Sequence, residues 1–240
     1  QEERFTRIKH DPAFPLKAID YCLKEEGISL SDVTDIVYYE NPSLKLKRII
    51  TNHAKNLFKG FSLFMDTFPK YLMHKHFVRR NVAELLGKEA TSKLRFLHHH
   101  TSHLASAFYP SPFDDAAIIT MDGVGEEETT TIAEGKGNKI NILKTLLFPD
   151  SIGLFYSAFT AYCGFKINSG EYKLMGLAPY GGPRYASLIK ENLVKIFEDG
   201  SISLNMKYFK YCHEPRMYGD ELARLLGFPP RKSESDITQE

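Results

Sequence analysis

The chain has 240 residues, 42% hydrophobic and 25% charged, enough to bury a sizeable core as one large domain or two small ones. Its 31 Lys and Arg against 30 Asp and Glu leave a formal charge of +1, which argues against nucleic acid as a partner, since such binding draws on a clustered basic excess. No apolar run reaches membrane-spanning length and no basic-apolar leader is visible, so no membrane partner is expected. Three well-separated cysteines (Cys22, Cys163, Cys212) argue against a disulfide scaffold or a thiolate zinc site and fit a reducing, cytoplasmic setting.

In chain order, a charged opening (residues 2–11) precedes Pro12 and Pro15, and the pattern then predicts a helix over about 15–26, ended by Gly27. Residues 35–40 (Asp-Ile-Val-Tyr-Tyr-Glu) read as a short strand. From Ser43 to about 87 the chain is basic, aromatic and helical, which predicts a helical insertion of two or three helices broken near Gly60 and Pro69. A strand over 93–97 runs into a histidine cluster. Residues 116–122 (Ala-Ala-Ile-Ile-Thr-Met-Asp) are so continuously apolar that they predict a strand buried on both faces. Two more strands, 129–134 and 140–147, complete a meander around Gly135-Lys136-Gly137. Helices follow near 152–163 and 184–198, and a loose polar tail over about 228–240. The order suggests one α/β domain with a helical insertion. The Gln1 start and the Thr238-Gln239-Glu240 end suggest a piece of a longer polypeptide.

Four of the nine histidines fall within residues 98–103. If a helix begins there, His99 and His103 are i and i+4 on one face and can share a metal ion, with Asp122 at the end of the strand as an oxygen ligand. Two imidazoles and a carboxylate suit Fe(II), Mn(II) or Zn(II) without choosing among them. Capping or surface histidines are the structural alternative. In Asp122-Gly123-Val124-Gly125-Glu126 the glycines would let backbone N–H groups approach a phosphate, or else form a plain hairpin turn. Ser151-Ile152-Gly153 and the glycine-rich run from Gly170 to Pro183 permit close approach to a nucleotide, with Glu171 on ribose hydroxyls and Lys173 facing phosphate or an anionic substrate; a surface loop is the alternative. Neither the P-loop nor the Rossmann pattern is present. Arg4, Arg7, Lys9 and His10 could clamp an anion such as phosphate, or form a solvated face. The basic, aromatic stretch 45–80 reads as a solvated face or as a dock for an acidic or sugar-bearing substrate.

These segments together resemble the carbamoyltransferases that include the nodulation protein NodU and the antibiotic O-carbamoyltransferases. The resemblance is carried by residues 2–11 (Glu-Glu-Arg-Phe-Thr-Arg-Ile-Lys-His-Asp), 99–113 (His-His-Thr-Ser-His-Leu-Ala-Ser-Ala-Phe-Tyr-Pro-Ser-Pro-Phe), 120–126 (Thr-Met-Asp-Gly-Val-Gly-Glu), 151–156 (Ser-Ile-Gly-Leu-Phe-Tyr) and 170–181 (Gly-Glu-Tyr-Lys-Leu-Met-Gly-Leu-Ala-Pro-Tyr-Gly). Residues 43–87 and 185–240 match in character only. The resemblance implies an actin/Hsp70/sugar-kinase-like core (RNase H-like, as in the Kae1-type threonylcarbamoyl enzymes), present here as roughly its first half. It implies transfer of a carbamoyl group from carbamoyl phosphate, through an ATP-derived carbamoyl-adenylate, to a hydroxyl of a sugar or natural product. It implies a divalent metal, Fe(II) foremost with Mn, Zn or Mg as alternatives, on His99, His103 and Asp122. Asp122 and Lys173 would act at the transfer centre, and Asp122, Gly123, Gly125, Ser151, Gly153, Glu171, Gly181 and Gly182 would cradle the nucleotide. A YrdC-like domain and the second half of the core would lie elsewhere in the polypeptide, leaving this segment inactive alone; a homodimer is compatible. The rivals are a non-catalytic metal-binding module and a threonylcarbamoyl-transferring relative.

Overall fold

Gly27 ends the first long helix as expected: it adopts φ +66° and donates its N–H to the carbonyls of Leu23 and Lys24. A computed structural model describes residues 1–9, 11–56 and 59–237, with backbone alone at 74–76. Predicted clamp residue His10 lies outside the described residues. A one-turn helix, α1 (Glu3–Thr6), precedes α2 (Leu16–Glu26). Pro15 offers no capping side chain, and the buried carboxylate of Glu2 supplies that cap, accepting from the N–H groups of Lys17 (3.2 Å) and Ala18 (3.0 Å).

Strand β1 (Ile36–Tyr38) pairs in parallel with β2 (Leu94–Phe96), Val37 opposite Arg95. Between them lies the predicted insertion, α3 (Pro42–Lys55), α4 (Phe61–Leu85) and the short α5 (Lys88–Ser92). Asn41 caps α3 by accepting from Ser43 N–H, and Pro42 occupies the position where a missing N–H costs nothing. The expected break at Pro69 does not occur, and α4 runs through it. Pro69 is on the exposed side of the helix, where its ring meets no packed neighbour element among the described residues. Val78 and Val82 of α4 pack with Ala90 and Leu94 as one buried cluster.

Helix α6 (His99–Phe108) lies on the antiparallel meander β3 (Asp115–Met121), β4 (Glu128–Lys136) and β5 (Lys139–Leu147), with Ile118 opposite Ala133 and Thr120 opposite Thr131. Leu104 and Phe108 of α6 bury Ile118 and Ala133. Strand β3 is therefore covered on one face, not two. Ile119 and Met121, which made the strand read as fully buried, remain 58% and 63% exposed.

Helices α7 (Ile152–Tyr162) and α8 (Glu171–Leu177) follow, then α9 (Ala186–Asn192). The helix predicted to 198 stops at 192, and Val194–Ile196 (β6) instead forms a hairpin with Ile202–Leu204 (β7) across an Asp199-Gly200 turn with Gly200 at φ +77°. The β-branched Val194, Ile196 and Ile202 and the Asp-Gly turn outweigh the helical spacing. Helix α10 (Asp220–Leu226) closes the largest cluster, in which Tyr162, Leu193, Leu204, Phe209 and Leu222 are buried. The start of the tail is anchored rather than loose: Phe228 packs against Tyr162 and Tyr185, and Arg231 donates to the carbonyls of Tyr162 and Cys163. No helix of the described residues is long and apolar enough to cross a membrane. The architecture is mixed α/β, with three small sheets.

Candidate metal centre

The site begins with a helix lacking its own cap. His98 flanks α6 without a side-chain capping bond. The carboxylate of Glu126, 1% exposed, takes over: its oxygens lie 2.8 and 3.1 Å from His99 N, and Oε1 also accepts from Asn41 N at 2.6 Å. This carboxylate at a helix N-terminus ties α6 to the entrance of α3. Arg48 of α3 adds a second tie, donating to Gly125 O at 2.9 Å.

The helix then aims His99 and His103 at the end of β3. His99 Nε2 is 2.7 Å from Asp122 Oδ2, His103 Nε2 is 3.0 Å from His99 Nε2, and His103 Nε2 is 3.6 Å from Asp122 Oδ2. Ligands of one ion at about 2.1 Å stand about 3.0 Å apart in an octahedron and about 3.4 Å apart in a tetrahedron. The three separations bracket those values, so the donor set fits one divalent cation. Two further observations agree. Two Nε2 atoms facing each other at 3.0 Å need a proton or a cation between them. His99 Nδ1 is buried with no hydrogen-bond partner among the described residues, an orphaned polar atom in a ring whose other nitrogen faces the donor set.

Charge ties Asp122 to His99. The hydrogen bond from His99 holds the Asp122 carboxyl well below the ordinary range; burial works against this, and the Gly123 N–H adds to it. The same hydrogen bond raises His99 although burial opposes it. His100 behaves differently, since burial pushes it down. Its Nδ1 sits 2.7 Å from Thr131 Oγ1 and 3.1 Å from Thr120 Oγ1, which pins the ring into the sheet. His98 is exposed and 3.9 Å from Glu128.

The remaining predicted residues divide in two. Gly123 N donates to Asp122 Oδ1 (2.7 Å) and Gly125 N to Glu128 O (2.8 Å), so these N–H groups shape the loop itself. A Cβ on Gly125 would come within 3.1–3.2 Å of His99 and His100. The fully buried Ser151 caps α7, accepting from Leu154 N, while its hydroxyl lies 3.1 and 2.7 Å from the carbonyls of Asp122 and Gly123. Gly153 abuts the same loop: a Cβ there would fall 2.5 Å from Asp122 O. Glu171 accepts from Asn168 N, Gly170 N and Ser157 Oγ, bracing α8 on α7. By contrast Lys173, Gly181 and Gly182 are exposed on α8 and the turn after it, and Arg4, Arg7 and Lys9 are exposed around α1. Sequence reasoning missed Glu40, Lys45 and Arg48 as parts of the site, because they sit in the helical insertion or just before it, some 50–60 residues from the histidines. Glu126 was visible only as the end of a turn motif.

A family model described as "Carbamoyltransferase N-terminus" matches residues 1–239. The chain is 46% identical over 245 residues to "Uncharacterized protein sll1178" of Synechocystis sp., covering 100% of this chain and 40% of that protein. It is 34% identical over 204 residues to "Nodulation protein NolNO" of Sinorhizobium fredii, covering 83% and 28%. It is 38% identical over 143 residues to "Nodulation protein NolO" of Bradyrhizobium diazoefficiens, covering 59% and 25%. The chain thus spans 40% or less of each of these relatives.

Proposed function

Because the chain belongs to the carbamoyltransferase N-terminal family, we propose that it is the metal-binding segment of an O-carbamoyltransferase, acting on a hydroxyl of a sugar or other small molecule. The observation that carries this reading is the convergence of His99 Nε2, His103 Nε2 and Asp122 Oδ2, all three ligand atoms lying within 4.8 Å of one another. In this reading the meander β3–β4–β5, with α6 across one face, is the first half of an actin/Hsp70/sugar-kinase-like core.

A divalent cation, Fe(II) foremost, would offset phosphate charge on a carbamoyl-adenylate made from ATP and carbamoyl phosphate. The chain's own residues prepare for that. Gly123 N–H, together with the Ser151 hydroxyl under the loop, fixes the orientation of Asp122. Glu126 fixes the first turn of α6 and so the direction of His99. Such positioning is what lets an acceptor hydroxyl and a reactive anhydride meet in line. Lys173, Gly181 and Gly182 supply the nucleotide-facing surface, and Arg4, Arg7 and Lys9 an anion-facing one. Ser151 and Gly153 seat α7 on the Asp122 loop, and Glu171 braces α8 beside it.

The test combines metal analysis with turnover of the full polypeptide. Wild type is expected to retain a stoichiometric divalent metal and to transfer carbamoyl from carbamoyl phosphate in an ATP-dependent reaction, and His99→Ala and His103→Ala to lose both. Unchanged metal content in the two variants would sink the assignment.

A further inference from the structure

The donor set leaves one buried atom of His99 to account for. A neutral imidazole whose Nε2 faces a cation carries its proton on Nδ1. That nitrogen is buried, and Glu40 Oε2 stands 3.8 Å away. Glu40 lies just beyond β1, is 2% exposed, and its Oε2 is in turn ion-paired with Lys45 of α3. A buried carboxylate is costly unless paired, and this one meets both Lys45 and the His99 imidazole at Oε2. Tyr39 packs its ring 5.7 Å from that of His99, and its carbonyl accepts from Ser102 Oγ at 2.9 Å, so the end of β1 and α6 are held in register.

We propose that Glu40 is the positioning residue of His99: its carboxylate, oriented by Lys45, accepts a hydrogen bond from Nδ1–H and keeps Nε2 directed at the cation. This rests on the metal reading of His99, His103 and Asp122. The arrangement is a carboxylate–histidine–metal relay, in which the outer carboxylate fixes the tautomer and strengthens the ligand. It also gives the helical insertion a role at the centre, because Lys45 lies within it. With Glu40 and Asp122 flanking His99, the two carboxylates balance Lys45 and half of a divalent cation's charge.

Titration of the metal-free full polypeptide with Co(II), followed by its visible absorption, tests this without any turnover. Glu40→Ala is expected to weaken Co(II) binding 10–100-fold, the range for outer-shell partners. Because that variant strands Lys45, the double variant Glu40→Ala/Lys45→Met is measured beside it. It should recover the melting temperature of the metal-free chain while keeping the affinity loss. Glu40→Asp should restore part of the affinity. Co(II) affinity within twofold of wild type in the double variant overturns the role of Glu40 and leaves the metal centre standing. An absence of saturable Co(II) binding by the wild-type full polypeptide overturns the centre itself, and the role of Glu40 with it.

Discussion

Asp122 Oδ2 lies 2.7 Å from His99 Nε2, while Asp122 Oδ1 accepts the N–H of Gly123. The aspartate is thus oriented from one side by its own loop and presents a single oxygen to the histidine pair. Asp122→Asn keeps size and the Gly123 contact but removes the charge. Its metal affinity should fall by at least the 10–100-fold that loss of an outer-shell partner costs. Equilibrium dialysis with Mn(II) or Zn(II) checks this, and affinity equal to wild type would remove Asp122 from the ligand set.

Glu126 is the next residue on which the site depends. It satisfies the N–H groups of His99 and Asn41 from a position only 1% exposed. Glu126→Ala strands two donors, each costing about 1–3 kcal/mol when buried. Unfolding by urea should show a midpoint lowered in proportion with an unchanged slope. Glu126→Gln keeps one acceptor oxygen and should fall between. A midpoint unmoved by either variant would show that the cap carries no weight.

Much of this site could be read in the residues, and the reason is local. His99, His103 and Asp122 are separated by one helical turn and one strand end, spacings that elementary periodicity converts into direction. Glu40, Lys45 and Arg48 carry no such signal. Their link to the site is made by the parallel β1–β2 pairing and by α3, contacts between residues about 60–80 apart. The one-sided burial of β3 was illegible for another reason: Ile119 and Met121 are apolar but uncovered, so the pattern mimicked a central strand. Helix α10 went unread although Gly219, Asp220, Glu221 and Gly227 form an ordinary start and stop.

Thiol chemistry follows from burial. Cys22 is exposed, whereas burial raises the Cys163 thiol and pushes Cys212 up to about 12. Ellman's reagent at pH 8 should modify Cys22 rapidly in the native chain and the partly buried Cys163 and Cys212 more slowly. Reaction of Cys212 as fast as that of Cys22 without denaturant, located by peptide mapping, would contradict the packing around Cys212.

Glu171 predicts an acid dependence. Burial would raise its carboxyl, but the N–H groups of Asn168 and Gly170 and the Ser157 hydroxyl outweigh that and hold it below the ordinary glutamate value. A depressed folded value means that the stabilisation is present above the unfolded value of about 4.3 and is lost as pH falls through the folded one. Wild type should therefore melt above Glu171→Gln at pH 6, with the gap closing toward pH 3. A gap independent of pH would show that charge on Glu171 contributes nothing.

Gly153 gives the sharpest steric prediction. A methyl group there would sit 2.5 Å from Asp122 O and 2.7 Å from Gly123 N, both backbone atoms that cannot rotate away. Gly153→Ala must push the start of α7 off the Asp122 loop, at about the 1–3 kcal/mol of an overpacked contact. It should also weaken metal binding, since Asp122 moves with its carbonyl. Gly182→Ala is the matched control, with nothing within 4 Å of the added methyl. Thermal melts and Co(II) titrations of both variants check the pair. Equal behaviour of the two would mean that α7 is not seated on the Asp122 loop as described.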